Sequence, residues 1–279
     1  MNYRHAFHAG NHADVLKHVI LLALLDALKR KATPFMVLDT HAGRGRYDLH
    51  AEPAQRTGEA DSGVARVLGM PTGSPAIVRY QQAIRAGNGD GALRIYPGSP
   101  LLAAMAMRAD DHLICRESQA DEARALAALF AHDHRVHVQN GDGWAAIKAL
   151  LPPTPRRGLV LIDPPYESQR AEFDVALATL AEGLRRWPQG IFALWYPIKR
   201  RRELQHFLRD AAQLPAKAIV LAELLVHPDD SPLRLNGSAM LLLNPPWQVD
   251  TEIAAALPEL VRALGEDGAS QRLEWLRQS

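Results

Sequence analysis

Seven short apolar runs, most of them separated by helical stretches, constrain this chain more than any other feature. The first is PFMVLDTHAGRGRY at 34–47, closing on a glycine-containing turn. Five more are HLICRES (112–118), RVHVQNGDG (135–143), GLVLIDPP (158–165), GIFALWYP (190–197) and AIVLAELLV (218–226), and SAMLLLNPP (238–246) is the last. Strands that are apolar throughout are buried on both faces. Alternation with helices therefore predicts a mostly parallel sheet covered on both sides. Helices are expected over 11–31, 119–131, 144–151, 168–186 and 199–212. In the first of these Asn11 is the N-cap, Asp14 lies in the first turn and cations crowd the C-terminal end, as the helix dipole favours. The last two strands are joined by HPDDSPLRLNG, which holds no helix, so the sheet should end antiparallel. Residues 48–98 show no strong strand signal but helix-like stretches at 58–69 and 75–86. They read as a helical insertion after the first strand, within a single domain spanning 1–279.

Composition narrows the class of protein. With 47% apolar residues the chain has ample material for a core, and its net charge of +1 neither demands nor excludes a nucleic-acid partner. Basic clusters at Lys29–Lys31, Arg44 and Arg46, Arg156–Arg157 and Lys199–Arg202 each read as solvated surface or helix ends. Cys115 is the single cysteine, so no disulfide forms within the chain and nothing points to an oxidising compartment. The N-terminus lacks a signal-peptide pattern. The most apolar stretch, VILLALLDAL, is interrupted by Asp26 and is too short to span a bilayer. A cytoplasmic protein that does not enter membranes is expected. His8 and His12 have the spacing of a metal pair, but Gly10-Asn11 breaks the helix between them and no cysteine or carboxylate cluster completes a site. No metal is expected.

In an open α/β sheet, ligands sit beyond the carboxyl ends of the strands. Those ends supply Asp39 to Gly45, Glu117, Asp142-Gly143, Asp163 to Tyr166, and Trp195 to Pro197. Gly43 and Gly45 allow a tight turn and close backbone approach. The third glycine of a dinucleotide fingerprint is absent, Asp48 standing there, and no Gly-Lys-Ser/Thr follows. By itself this turn is as well explained by structure as by a cofactor. Glu117 can accept both hydroxyl protons of a ribose, and Asp142, followed by Gly143, can accept from an adenine amine. Taken in register, these describe a cofactor containing adenosine.

The tetrapeptide Asp163-Pro164-Pro165-Tyr166 suits chemistry on an exocyclic amine. Such an amine is a poor nucleophile because its lone pair is delocalised into the ring. Asp163 can accept one N–H and the carbonyl of Pro164, held by fixed proline dihedrals, the other. Two acceptors at that angle localise the lone pair and aim it. Tyr166 can stack on a flipped base. The near-copy Asn244-Pro245-Pro246-Trp247 has similar atoms but ends the seventh strand, away from the cofactor end, and reads as structural.

These residues carry a resemblance. Asp39-x-x-x-Gly43-x-Gly45 with Glu117, Asp142 and Asp163-Pro-Pro-Tyr166 looks like the S-adenosylmethionine-dependent methyltransferases of exocyclic amines. YRHAFHAGNHADVLKH with LDTHAGRGRY, IDPPYE, ALWYPI and NPPW, from residue 3 to about 247, resembles the ribosomal RNA large-subunit methyltransferase J family. That family methylates N6 of an adenine in 23S rRNA. The resemblance implies a Rossmann-like class I methyltransferase fold with a seven-stranded, mostly parallel sheet, its last strand antiparallel. It implies S-adenosyl-L-methionine as cofactor, 23S ribosomal RNA as partner and a monomer. It places Lys17, His18, His41, Gly43, Ser99, Glu117, Asp142, Gly143 and Asp163 by the cofactor, and Tyr3, Pro164 and Tyr166 on the substrate side, with Asp163 catalytic. Arg44 departs from the small residues usual after the loop glycine. The insertion at 48–98 corresponds to the family's small subdomain, an RNA-binding candidate to which Arg46, Arg56 and Arg66 could contribute. Methylation of guanine N2 or DNA adenine, or a non-catalytic adenosine-binding module, are the alternatives that the tetrapeptide alone leaves open.

Overall fold

Asn11 opens the first helix as expected, its side-chain oxygen accepting the backbone N–H groups of Ala13 and Asp14 at 3.0 Å. In the computed structural model, which describes residues 7–89, 91–166, 169–232 and 235–278, the helices are α1 (His12–Lys29), α2 (Glu52–Thr57), α3 (Glu59–Ser62), α4 (Val64–Gly69), α5 (Pro75–Ala86), α6 (Ser99–Ala106), α7 (Ala120–Leu129), α8 (Gly143–Leu150), α9 (Gln169–Arg186), α10 (Gln205–Ala211) and α11 (Val249–Leu264). The strands are β1 (Met36–Asp39), β2 (Arg46–Asp48), β3 (Ile95–Pro97), β4 (His112–Glu117), β5 (Val136–Asn140), β6 (Gly158–Ile162), β7 (Ile191–Ile198), β8 (Ile219–Leu225), β9 (Gly237–Leu243) and β10 (Ser270–Arg277).

Eight strands form one sheet in the order β10-β8-β9-β7-β6-β1-β4-β5. The five from β7 to β5 run parallel. β9 lies antiparallel between β7 and β8, and β10 pairs antiparallel with β8. The chain builds outward from β1 to β5, then returns to the other side of β1 as β6. Strand order therefore reverses between β1 and β6, where open α/β sheets bind ligands.

Side chains alternate between the two faces. Val37, Leu159, Leu161 and Ala193 join a core with α1, α5, α6 and α11, while Met36, Leu38, Val160 and Ile162 join another with α8, α9 and α10. Burial on both faces is the physical reason these strands read as unbroken apolar runs.

Three features differ from expectation. The sheet has an eighth strand, β10, where seven were expected; its sequence SQRLEWLR alternates charge, as an edge strand does. It is anchored by Arg272, which with Arg201 pairs with the fully buried Glu223 at 2.6 and 2.8 Å. The insertion is not purely helical, since β2 and β3 close it as an antiparallel ribbon. The helices α6 and α11 were also not anticipated. No helix among the described residues is long and apolar enough to cross a membrane.

Candidate active site

Asp163 follows β6 directly, at the carboxyl end of the sheet and beside the reversal of strand order. Its side chain is 16% exposed and takes the Lys17 ammonium on Oδ2. Lys17 projects from α1, only 4% exposed, and its Nζ also lies 2.9 Å from Asp14 Oδ1. Burial would lower the Lys17 pKa; the two facing carboxylates outweigh it and raise the pKa. The lysine therefore stays charged and holds one oxygen of Asp163, and Oδ1 takes no hydrogen bond or ion pair from the described residues.

Pro164 is buried and Pro165 exposed. Tyr166 is wedged between aromatic rings, with centroids 5.4 Å from Phe173 and 5.8 Å from Trp195, and its hydroxyl donates to the Trp195 carbonyl at 2.9 Å. With the hydroxyl so engaged, what Tyr166 can offer a base is its ring.

On the other side of the reversal, Asp39 ends β1. It is 1% exposed and accepts the Ser99 hydroxyl on Oδ2 at 2.7 Å. Burial pushes its carboxyl up to about 7 against the Ser99 hydrogen bond, and the nearby Asp163 charge adds to the rise. Burial pushes His41 down to about 4, so its ring is neutral at pH 7. The Thr40 hydroxyl gives its proton to the Leu161 carbonyl at 3.0 Å. In its 2.8 Å contact with His41, the ring nitrogen Nδ1 must therefore be the donor, which leaves Nε2 as an acceptor.

Gly43 has φ +60, a left-handed conformation suited to glycine, and its N–H donates to Glu117 Oε2 at 2.8 Å. The other Glu117 oxygen accepts the Gln119 N–H at 2.7 Å. Each oxygen keeps a further lone pair, so the carboxylate remains able to accept a diol. Asp142 caps α8 by accepting the Trp144 N–H at 2.9 Å and is otherwise exposed. A Cβ on Gly143 would fall 1.9 Å from the Thr40 carbonyl, so this glycine lets α8 pack against the end of β1. These groups fit an adenosine carrying a charged amino-acid arm, with acids spaced along consecutive strand ends.

Lys17, Asp39, His41, Ser99, Glu117, Asp142 and Asp163 all belong to this rim. His18 faces the insertion: its Nδ1 pairs with the Tyr96 hydroxyl at 2.7 Å and its ring stacks on Tyr96. Tyr3 lies outside the described residues. Sequence reasoning placed Asp14 only in the first turn of α1 and missed it as the second carboxylate on Lys17. Its spacing of three residues from Lys17 on one helix face was the available signal. The near-copy tetrapeptide sits at the opposite end of the sheet, since Leu243 pairs with Phe192 at the start of β7. Asn244 accepts from the Lys217 N–H and donates to the carbonyls of Pro188 and Gly190, which uses its whole amide in the fold. Among the described residues no group of three or more His, Cys, Asp or Glu could hold a metal ion.

Known proteins are similar to this chain along nearly its whole length. The family model described as ribosomal RNA large subunit methyltransferase D, RlmJ, matches residues 32–277. The ribosomal RNA large subunit methyltransferase J of Escherichia coli K12 is 41% identical over 260 residues, covering 93% of this chain and 92% of its own. The protein of the same name from Haemophilus influenzae is 38% identical over 278 residues, with 99% of each chain covered. A crystal structure of a Legionella pneumophila protein is 31% identical and superposes with a TM-score of 0.86, covering 96% of this chain and 98% of that one. With its tetrapeptide, its glycine turn and its N-terminal helix all brought to one rim, the chain belongs to the ribosomal RNA large subunit methyltransferase J family.

Proposed function

We propose that this chain methylates the N6 exocyclic amine of an adenine in 23S ribosomal RNA, with S-adenosyl-L-methionine as methyl donor. One observation carries the reading: the Asp163 carboxylate stands at the strand-order reversal with Oδ2 held by Lys17 and Oδ1 without a partner among the described residues, beside a buried Pro164 and the Tyr166 ring. When bound, the cofactor supplies a methyl group on a sulfonium, an electrophile that requires an aimed lone pair. Glu117 and Asp142 would hold its adenosine, and Asp39 with Ser99, His41 and Lys17 would border its amino-acid arm.

Oδ1 of Asp163 accepts one N–H of the adenine amine and the Pro164 carbonyl accepts the other. The nitrogen becomes more tetrahedral and its lone pair is no longer shared with the ring. Lys17 holds Oδ2, so the carboxylate meets the amine through Oδ1 as an acceptor. After transfer the amine is cationic and acidic, and Asp163 can take its surplus proton. The Tyr166 ring offers a stacking surface worth roughly 1–3 kcal/mol to a flipped base. A ribosomal RNA substrate makes the cytoplasm its place of action.

The test is product analysis of 23S rRNA taken from cells lacking this protein and treated with it. N6-methyladenosine is expected, and N2-methylguanosine in its place would overturn the reading. Asp163→Ala should abolish transfer while calorimetry still detects cofactor binding. Undiminished turnover by that variant would remove Asp163 from the chemistry.

A further inference from the structure

The insertion is joined to the segment that leads into α1 by a dense set of polar contacts. The Thr57 hydroxyl donates to the Phe7 carbonyl. Glu59, the first residue of α3, accepts from Asn11 Nδ2 at 2.9 Å with one oxygen and pairs with His8 Nδ1 at 2.8 Å through the other. Val64 donates its backbone N–H to the Gly10 carbonyl at 2.8 Å. Gly63 packs so closely there that a Cβ would fall 2.1 Å from that same carbonyl. Gly10 itself has φ +80, which only glycine adopts without strain. These residues come together from two stretches about fifty positions apart, so the seam is a product of tertiary structure.

The contacts do not stop at the seam. The Gly10 N–H donates to Asp14 Oδ2 at 2.9 Å. Asp14 Oδ1 lies 2.9 Å from Lys17 Nζ, and Lys17 holds Asp163. Asn11, gripped by Glu59, is also the residue that caps the first turn carrying Asp14. A continuous series of polar contacts therefore runs from Glu59 in the insertion to the carboxylate of Asp163. Lys17 is the cation that fixes that carboxylate. A lysine has four rotatable bonds, and here its aim is set by Asp14, whose second oxygen is set in turn by the Gly10 turn.

We propose that Glu59 is a positioning residue for methyl transfer: by fixing residues 7–11 it sets, through Gly10, Asp14 and Lys17, where the Asp163 carboxylate stands. The inference rests on the role given to Asp163 above. Glu59 acts through these contacts and not on the cofactor or the base. Its effect is on alignment, where a displacement of about an ångström can cost on the order of a hundredfold in rate.

The experiment uses the full chain and unmodified 23S rRNA, with steady-state methyl transfer well below the melting temperature. Glu59→Ala should lower kcat by about tenfold, a larger change than in the KM for S-adenosylmethionine. Glu59→Gln, whose amide oxygen can still accept from Asn11, should recover most of that kcat. A wild-type kcat in Glu59→Ala overturns the proposal, and so does a loss that Glu59→Gln leaves uncorrected. Asp163→Ala is measured alongside. If it is inactive while Glu59→Ala is normal, the relay fails and the proposed function stands. If Asp163→Ala turns over normally, the role of Asp163 fails first.

Discussion

Asp39 shows how one buried carboxyl ties the active-site rim to stability. Its pKa is raised by burial from 3.8 to about 7, so between those values the folded protein holds a proton that the unfolded chain has released. The stability this group contributes is complete below 3.8 and is lost as pH rises through about 7. The full span corresponds to roughly 4 kcal/mol, as an order of magnitude. Asp39→Asn keeps the site neutral at every pH and can still accept from Ser99. Paired thermal melts should show the variant gaining on the wild type from pH 4 to 7 and levelling off above that. A difference that does not change with pH would contradict the assignment.

Among the elements, the two similar tetrapeptides show how position gives the same words different work. Asp163 ends a parallel strand at the ligand-binding edge, while Asn244 ends the antiparallel β9 at the far end of the sheet. Asn244 also has φ +53, which asparagine tolerates better than most residues. Asn244→Ala loses the bonds to Lys217, Pro188 and Gly190 and should destabilise the fold by about 3 kcal/mol. Its kcat at 25 °C should match the wild type. Urea denaturation together with the methyl-transfer assay checks both halves, and a selective loss of turnover would reopen the near-copy as a site. The strands β1, β6, β7, β8 and β9 were legible because each is buried on two faces. β10 was not, because it is an edge strand whose hold on the sheet comes from Glu223 on β8, far away in sequence.

At the scale of the whole molecule, the substrate is far larger than the rim and needs a second surface. Arg46 and Arg66 lie exposed on the insertion, whereas Arg56 is engaged with Glu52 at 2.6 Å. Phosphate contacts release counterions, so each cation used makes RNA binding more salt-dependent. Arg46→Ala and Arg66→Ala should each weaken rRNA binding and reduce the slope of log affinity against log salt by about 1. Affinity for S-adenosylmethionine should not change. Wild-type RNA affinity at every salt concentration in both variants would place the RNA surface elsewhere.

The sequence by itself determined what short-range chemistry can write. Apolar runs specified a parallel sheet, Asn11 specified the start of α1, and Asp163-Pro-Pro-Tyr166 specified a carboxylate held rigidly at a strand end. Glu117 was legible because it ends β4, and Asp142 because it follows β5 by two residues, both at the carboxyl edge where open α/β sheets bind ligands. Tertiary structure decided which distant groups meet. It seated Lys17 between Asp14 and Asp163, turned His18 toward Tyr96, and used Glu59 to grip the chain ahead of α1. The physical reason is that a strand's pattern is fixed by its own period, while a buried charge finds its partner only once helices and sheet are packed. Nothing in the spacing of Asp14, Glu59 and Asp163 reveals that one chain of contacts joins them.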